Sequence, residues 1–94
     1  MICSAIKNKQ LIELYYEGGN RIVEPHSHGI TKSKTPGLKA YQVSGYSADG
    51  TMGWKLFDLS KAYAISMLPV TFKAPREGYS PHDPEMTFIF CQLL

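Results

Sequence analysis

Gln10-Leu11-Ile12-Glu13-Leu14-Tyr15-Tyr16-Glu17-Gly18-Gly19-Asn20-Arg21-Ile22-Val23-Glu24-Pro25 has the pattern of two strands joined by a tight turn. Its first seven residues alternate: Ile12, Leu14 and Tyr16 point one way, and Leu11, Glu13 and Tyr15 the other. Side chains in an extended chain repeat every two residues, so this pattern predicts a strand. Glu17-Gly18-Gly19-Asn20 supplies residue types that tolerate positive φ, as a tight hairpin turn requires. Arg21–Pro25 returns as the second strand. Pro25 lacks a backbone donor and is expected to end regular pairing there.

Working outward, residues 2–9 fit about two helical turns with Ile2, Ala5 and Ile6 on one face. His26–Leu38, which holds Gly29, Pro36 and Gly37, reads as a long polar loop. Loops of that length in small domains are often functional. Lys39–Tyr46 is a third strand, Ser47-Ala48-Asp49-Gly50 a second hairpin turn, Gly53–Asp58 a fourth strand and Ala62–Leu68 a fifth. Leu59-Ser60-Lys61 is the short step between the last two. Beyond Pro69, three further prolines (Pro75, Pro81, Pro84) and Gly78 exclude long regular elements until a strand-like Met86–Leu93. Short strands at this spacing predict a mainly β protein, a small barrel of about five strands with a short leading helix and a Pro-rich tail ending in a strand.

Ninety-four residues make one domain. A chain of this size buries only about 60–65% of its unfolded surface, so its core must be compact. No apolar run approaches the roughly 20 residues that span a bilayer, and the amino-terminal residues lack the pattern of a signal peptide. A cytoplasmic protein without membrane partners is the expectation. On that basis Cys3 and Cys91 are expected as reduced thiols, Cys91 acting as a small buried hydrophobe.

The net charge of +2 is too small to announce a nucleic-acid partner. Its distribution says more. Residues 21–46 carry Arg21, Lys32, Lys34 and Lys39 against Glu24 alone, a local +3, whereas the segments on either side are balanced or slightly negative. The excess lies beside the tyrosine-rich third strand. There Tyr41 shares a face with Lys39 and Val43, and Tyr46 takes the opposite parity. A ring flanked by cations can stack a base while the cations neutralise phosphate, although a strand tyrosine can equally be a core or rim residue. On the fourth strand Lys55 shares parity with Phe57 and Leu59, and Lys61 continues it. Lys55 is either a surface lysine with a packed stem or a contact for a ligand anion.

Other chemistries find little support. His26-Ser27-His28 and His82-Asp83 lack the spacing of a zinc site, and no metal or other cofactor is expected. Ser80, His82 and Asp83 lie too close in sequence to divide the roles of a triad. A nuclease using His26 or His28 as acid and base is the remaining enzymatic reading.

In order and spacing the chain resembles the WYL domain family, which consists of Sm-like, SH3-like β-barrels of bacterial transcription regulators. The shared frame is the short helix, Leu11–Tyr16, Arg21-x-Val23-Glu24-Pro25, Lys39-Ala40-Tyr41-Gln42-Val43-Ser44-Gly45-Tyr46 and Lys55-x-Phe57-x-Leu59-x-Lys61. It covers residues 2–70, with residues 71–94 as a C-terminal extension of the single domain 1–94. The naming Trp-Tyr-Leu triplet falls on Ala40-Tyr41-Gln42, where only the tyrosine matches. The family's two arginines fall on Lys55 and Lys61, which keep the charge but lose the bidentate fork. No helix-turn-helix segment lies within the 94 residues.

The resemblance implies a non-enzymatic regulatory module that binds a single-stranded nucleic-acid fragment or nucleotide-like anion through Tyr41, Lys55 and Lys61. Lys39, Arg21, His26 and Tyr46 join them as expected neighbours on charge and parity. The competing expectation is a protein-interaction or self-assembly module with no small ligand, in which the apolar Met86–Leu94 end forms a homodimer contact.

Overall fold

A computed structural model describes residues 1–94. The protein is mainly β, with 56% of residues in strands and 11% in helices. Helix α1 spans Ile2–Asn8 and is followed by β1 (Gln10–Tyr16), β2 (Gly19–Thr31), β3 (Pro36–Gly45) and β4 (Gly53–Asp58). A single 3₁₀ turn, Leu59–Lys61, leads into β5 (Ala62–Thr71), and β6 (Met86–Gln92) ends the chain's regular structure. All pairings are antiparallel, in the order β4-β3-β2-β1-β5, with β6 on β2.

The β1–β2 hairpin forms as its sequence dictates. Tyr16 pairs with Gly19, which leaves Glu17 (φ 36) and Gly18 (φ 108) as the two turn residues, both with positive φ. Two such residues make the turn whose twist matches that of the strands. Lys9 (φ 52) ends α1 in the left-handed region, and its carbonyl accepts the Phe72 N–H at 2.8 Å.

The expected long loop after Pro25 does not exist. β2 continues to Thr31, β3 begins at Pro36, and only four residues connect them. The reason lies in a register shift between Pro25 and Ser27: Pro25 pairs with Ala40, Ser27 with Lys39, and His26 is the extra residue. A bulge is where a sheet tolerates a residue without an N–H. Gly29 and Gly37, expected within that loop, pair with each other across the β2–β3 ladder. Gly29 also lies under β6, where a Cβ would come within 2.0 Å of the Phe88 carbonyl. Likewise β5 runs through Pro69 to Thr71. Its one partner is β1, so the proline stands on an edge strand.

Two apolar clusters hold the sheet. Ile12, Leu14, Val23, Leu38, Ala40 and Phe57 are almost fully buried on one face, joined by Ala5 of α1 and by Tyr16, whose ring meets Phe57 edge-on at 5.0 Å. On the other side Ile6 and Leu11 pack with Phe72 and Leu93, so the tail is part of the core. No pairing joins β4 to β5. No helix is long and apolar enough to cross a membrane.

Cys3 and Cys91 are joined in a disulfide, contrary to the expectation of two free thiols. Their separation of 88 residues in sequence hid a Cα–Cα distance of 5.7 Å, set when β6 returns along β2 past α1. Cys91 is half-buried rather than a core residue. Closing a loop of this length removes chain entropy worth about 4–5 kcal/mol from the unfolded state. Reduction by a phosphine should therefore lower the unfolding midpoint in urea markedly. An unchanged midpoint, with two thiols titrated, would contradict a cross-link that ties the chain's ends.

Candidate functional site

The register of β3 and β4 separates the residues nominated from the sequence. Tyr41 pairs with Trp54 and Ala40 with Lys55, so Tyr41 and Lys55 lie on opposite faces of the sheet. Tyr41, Lys39 and His26 share the face covered by the tail. Arg21, Tyr46, Lys55 and Lys61 lie outside that group. Tyr41, Lys55 and Lys61 therefore do not converge in one pocket.

On the tail side, the Trp54 ring meets Tyr41 edge-on, with centroids 5.5 Å apart, and lies nearly parallel to Tyr79 at 6.2 Å. The indole N–H donates to the Glu77 carbonyl at 3.0 Å. Arg76 arrives from the tail and places its guanidinium 4.4 Å from the centre of the Tyr41 ring. It also grips Glu24 with two parallel hydrogen bonds, Nε to Oε1 at 2.7 Å and an Nη2 contact to Oε2 at 3.0 Å. That bidentate pairing raises the Arg76 pKa further. One face of Tyr41 is thus already occupied by a cation from its own chain.

His26 is not a loop residue. It is fully buried among Trp54, Phe72 and Tyr79, with ring centroids at 4.7, 5.5 and 5.1 Å. The Arg76 N–H donates to Nε2 at 3.0 Å, which leaves the proton on Nδ1, bonded to the Glu24 carbonyl at 2.8 Å. Both ring nitrogens are committed, so His26 is poorly placed to move a substrate's proton. Burial lowers its pKa, outweighing the raising effects of the Glu24 carbonyl and charge.

Beside this aromatic group lies a cleft of about 250 Å³, lined by Lys39, Trp54, Tyr79, Ser80 and Asp83 with Gly78 and Pro84. Lys39 bridges two carboxylates of the tail, Asp83 at 3.3 Å and Glu85. Desolvation pulls its pKa down, but the hydrogen bonds to Glu85 and Asp83 outweigh it and raise the pKa. Burial and the charge of Asp83 raise that of Tyr79, whose hydroxyl donates to the Leu93 carbonyl at 2.6 Å. Two cations, Lys39 and Arg76, thus face three carboxylates.

The other nominated residues serve different surroundings. Arg21 is 5% exposed, with its guanidinium 5.2–5.7 Å from the Tyr16, Tyr46 and Phe57 ring centres. It donates to the carbonyls of Tyr16 and Glu17. Lys55 donates to Ser47 Oγ at 3.2 Å and pairs with Asp49 at 3.5 Å. Asp49 is held well below the usual carboxylate range by hydrogen bonds from Ser47 and Thr51, with Lys55 adding its charge. Lys61 is exposed and pairs loosely with Glu17 at 3.8 Å. Tyr46 packs over the Gly18-Gly19 turn, which has no side chains to keep its ring away. Gln42 is fully buried and donates to the carbonyls of Ser44 and Tyr46, which shapes the end of β3.

Trp54, Arg76 and Tyr79 are the residues that sequence reading missed. Trp54 has the parity opposite to Lys55, and the register of β3 on β4 pairs it with Tyr41. Nothing local in the Pro-rich tail indicates that Arg76 and Tyr79 fold back onto the sheet. Comparison with protein-family models, curated proteins and solved structures finds no match in any of the three.

The lowered His26 pKa fixes the sign of a pH effect. The unfolded chain takes up a proton near pH 6.5, while the folded protein resists it with neutral His26 between the Glu24 carbonyl and the Arg76 N–H. Stability from this group is complete above about 6.5 and is lost as pH falls toward the lower folded value. His28, whose pKa burial and the amino-terminal charge also lower, adds in the same direction. His26→Gln should be less stable at neutral pH and lose less on acidification to about pH 5.5, as measured by urea unfolding. An unaltered pH slope would contradict the burial of a neutral His26.

Proposed function

We propose that this protein is a non-enzymatic binding module for a nucleobase-bearing ligand, received in the cleft beside Trp54 and Tyr79. The observation that carries this reading is the convergence of the chain's one tryptophan, Tyr79 and Lys39 on a cleft large enough for part of a nucleotide. Aromatic faces accept any base by stacking, a contact worth about 1–3 kcal/mol per base. Lys39 and Asp83 place a donor and an acceptor at the same opening. This suits the polar edge of a heterocycle, with a phosphate competing against Asp83 and Glu85 for the Lys39 ammonium.

The electrostatics give the ligand a different character from the sequence expectation. Lys39 and Arg76 already have carboxylate partners, so each phosphate gained costs an ion pair. The base dominates and the phosphate contributes little. Tyr41 positions Arg76 and Trp54 rather than stacking the base itself. A role in bacterial transcription regulation, and a single-stranded nucleic-acid fragment as the physiological ligand, rest on the WYL resemblance together with this cleft.

Titrating nucleoside monophosphates and a short single-stranded oligonucleotide should quench the Trp54 fluorescence, with a log–log salt slope near one phosphate contact. Lys39→Met should weaken binding and reduce that slope by about 1. Tyr79→Ala should cost roughly 5- to 100-fold in affinity, the equivalent of one stacking contact. Absence of quenching by every base, or a steep salt slope unaffected by Lys39→Met, would overturn the assignment.

A second reading is favoured by the open edges. β5 pairs with β1 alone and exposes Tyr63 (66%), Met67 (40%) and Val70 (55%), while β6 exposes Phe88 (60%) and Phe90 (51%). Unpaired, apolar edge strands template association. Removing residues 86–94 would destroy the fold, because β6 pairs with β2 and carries Cys91. Point changes make the test. Sedimentation should show a concentration-dependent dimer that Phe88→Ser with Phe90→Ser abolishes, if β6 is the contact. A monomer at all concentrations would remove this reading.

A further inference from the structure

Cys3, His28 and Cys91 bring two sulphurs and an imidazole together where α1 and β6 meet β2. All three ligand atoms lie within 4.8 Å of one another, and His28 Nδ1 is 4.0 Å from Cys3 Sγ. The residues come from three elements. Cys3 is on α1, Cys91 on β6, and His28 on β2, directly paired with Cys91 in the ladder. Two of these elements are therefore fixed relative to each other by backbone hydrogen bonds and do not depend on the sulphur–sulphur bond for their placement.

We propose that the reduced protein binds a borderline-soft divalent cation, of which zinc is the type, through Cys3, His28 and Cys91, so that the metal replaces the disulfide as the tether between α1 and β6. Two thiolates and one imidazole form a recognised zinc ligand set that leaves a fourth position for water or another ligand. A tetrahedral site with zinc–sulphur bonds of about 2.3 Å needs its sulphurs roughly 3.8 Å apart. Side-chain rotation at Cys3 and Cys91 supplies that separation. The Nδ1-to-sulphur distance already present is near what such a site requires. Phe90 packs edge-on against the His28 ring at 5.1 Å and limits its freedom to turn away. Cys3 is exposed and His28 and Cys91 are half-buried, so an ion can reach the site from solvent.

The chemistry balances in two steps. A dithiol reductant attacks the disulfide, passes through a mixed disulfide and leaves as its own cyclic disulfide, giving two thiols on the protein and transferring two electrons and two protons. The cation then displaces the two thiol protons to solvent and takes the unprotonated His28 nitrogen as its third ligand. Oxidation and metal binding exclude each other, since the same sulphur electron pairs serve both. In a reducing compartment such as the expected cytoplasm, the metal form would preserve the tether that reduction removes. The Trp54 cleft plays no part in this site, so neither assignment depends on the other.

Cobalt is the probe, because tetrahedral thiolate coordination gives it a charge-transfer band and intense visible bands. After reduction with a phosphine and its removal, the full chain should bind one cobalt ion with that spectrum, and zinc should displace it. The oxidised protein should show neither. His28→Ala, which leaves both thiols, should bind at least tenfold more weakly. Zinc should raise the melting temperature of the reduced protein and leave that of the oxidised protein unchanged. Equal binding by oxidised and reduced protein would overturn the proposal, as would an unaltered affinity in His28→Ala. A reduced protein whose cobalt spectrum lacks the thiolate band would do the same, and alkylating its thiols provides the reference if Cys3→Ser does not fold.

Discussion

The bulge at Pro25–His26 governs how β2 pairs along its whole length. It lets β2 pass through a proline without losing its ladder and continue to Thr31. A strand of thirteen residues has room for β1 on the first half of one edge, β6 on the second half, and β3 along the other. Without that continuation β6 would have no strand to pair with, and Cys91 would not return to Cys3. The bulge also places the extra residue, His26, on the tail side, where its two nitrogens tie Glu24 to Arg76. One local irregularity thus builds both the cross-linked end of the molecule and the ring packing behind Trp54 and Tyr79.

The tail completes what the sheet begins. Residues 72–85 carry no regular structure, yet Phe72 closes the second apolar cluster, Arg76 pairs with Glu24, and Tyr79 lies against Trp54. An apolar anchor, a bidentate ion pair and a near-parallel ring contact hold a segment that its prolines and Gly78 keep from folding by itself. Because Asp83 and Glu85 arrive with it, the same tail that walls the cleft also neutralises Lys39. Walling and neutralising go together here, which is why the proposed recognition leans on stacking rather than on ion pairing.

Period-two patterning made much of this legible beforehand. The leading helix, the first hairpin, the strands around Tyr41 and Phe57 and the terminal strand all lie where alternation and turn chemistry put them. Pro25 is ambiguous in sequence because a proline that ends pairing and a proline that sits in a bulge look alike until the partner strand is known. The site was less legible for a related reason. Parity along one strand is visible in sequence, but register between strands is not. Lys55 and Tyr41 look like neighbours until the pairing of Tyr41 with Trp54 puts them on opposite faces. The contacts of Arg76, Tyr79 and the two cysteines span 14 to 88 residues, with no repeating pattern to announce them. Their assignment needed the fold.

Ligand recognition is proposed for the Trp54–Tyr79–Lys39 cleft rather than for the surroundings of Arg21, Lys55 and Lys61. Chemical-shift mapping with a nucleoside monophosphate tests it most directly, since the single indole N–H reports the cleft on its own. Saturable shifts of the Trp54 indole and of the Lys39, Gly78 and Ser80 amides are expected. Shifts confined to Arg21, Tyr46, Lys55 and Lys61, with the Trp54 indole unmoved, would contradict it.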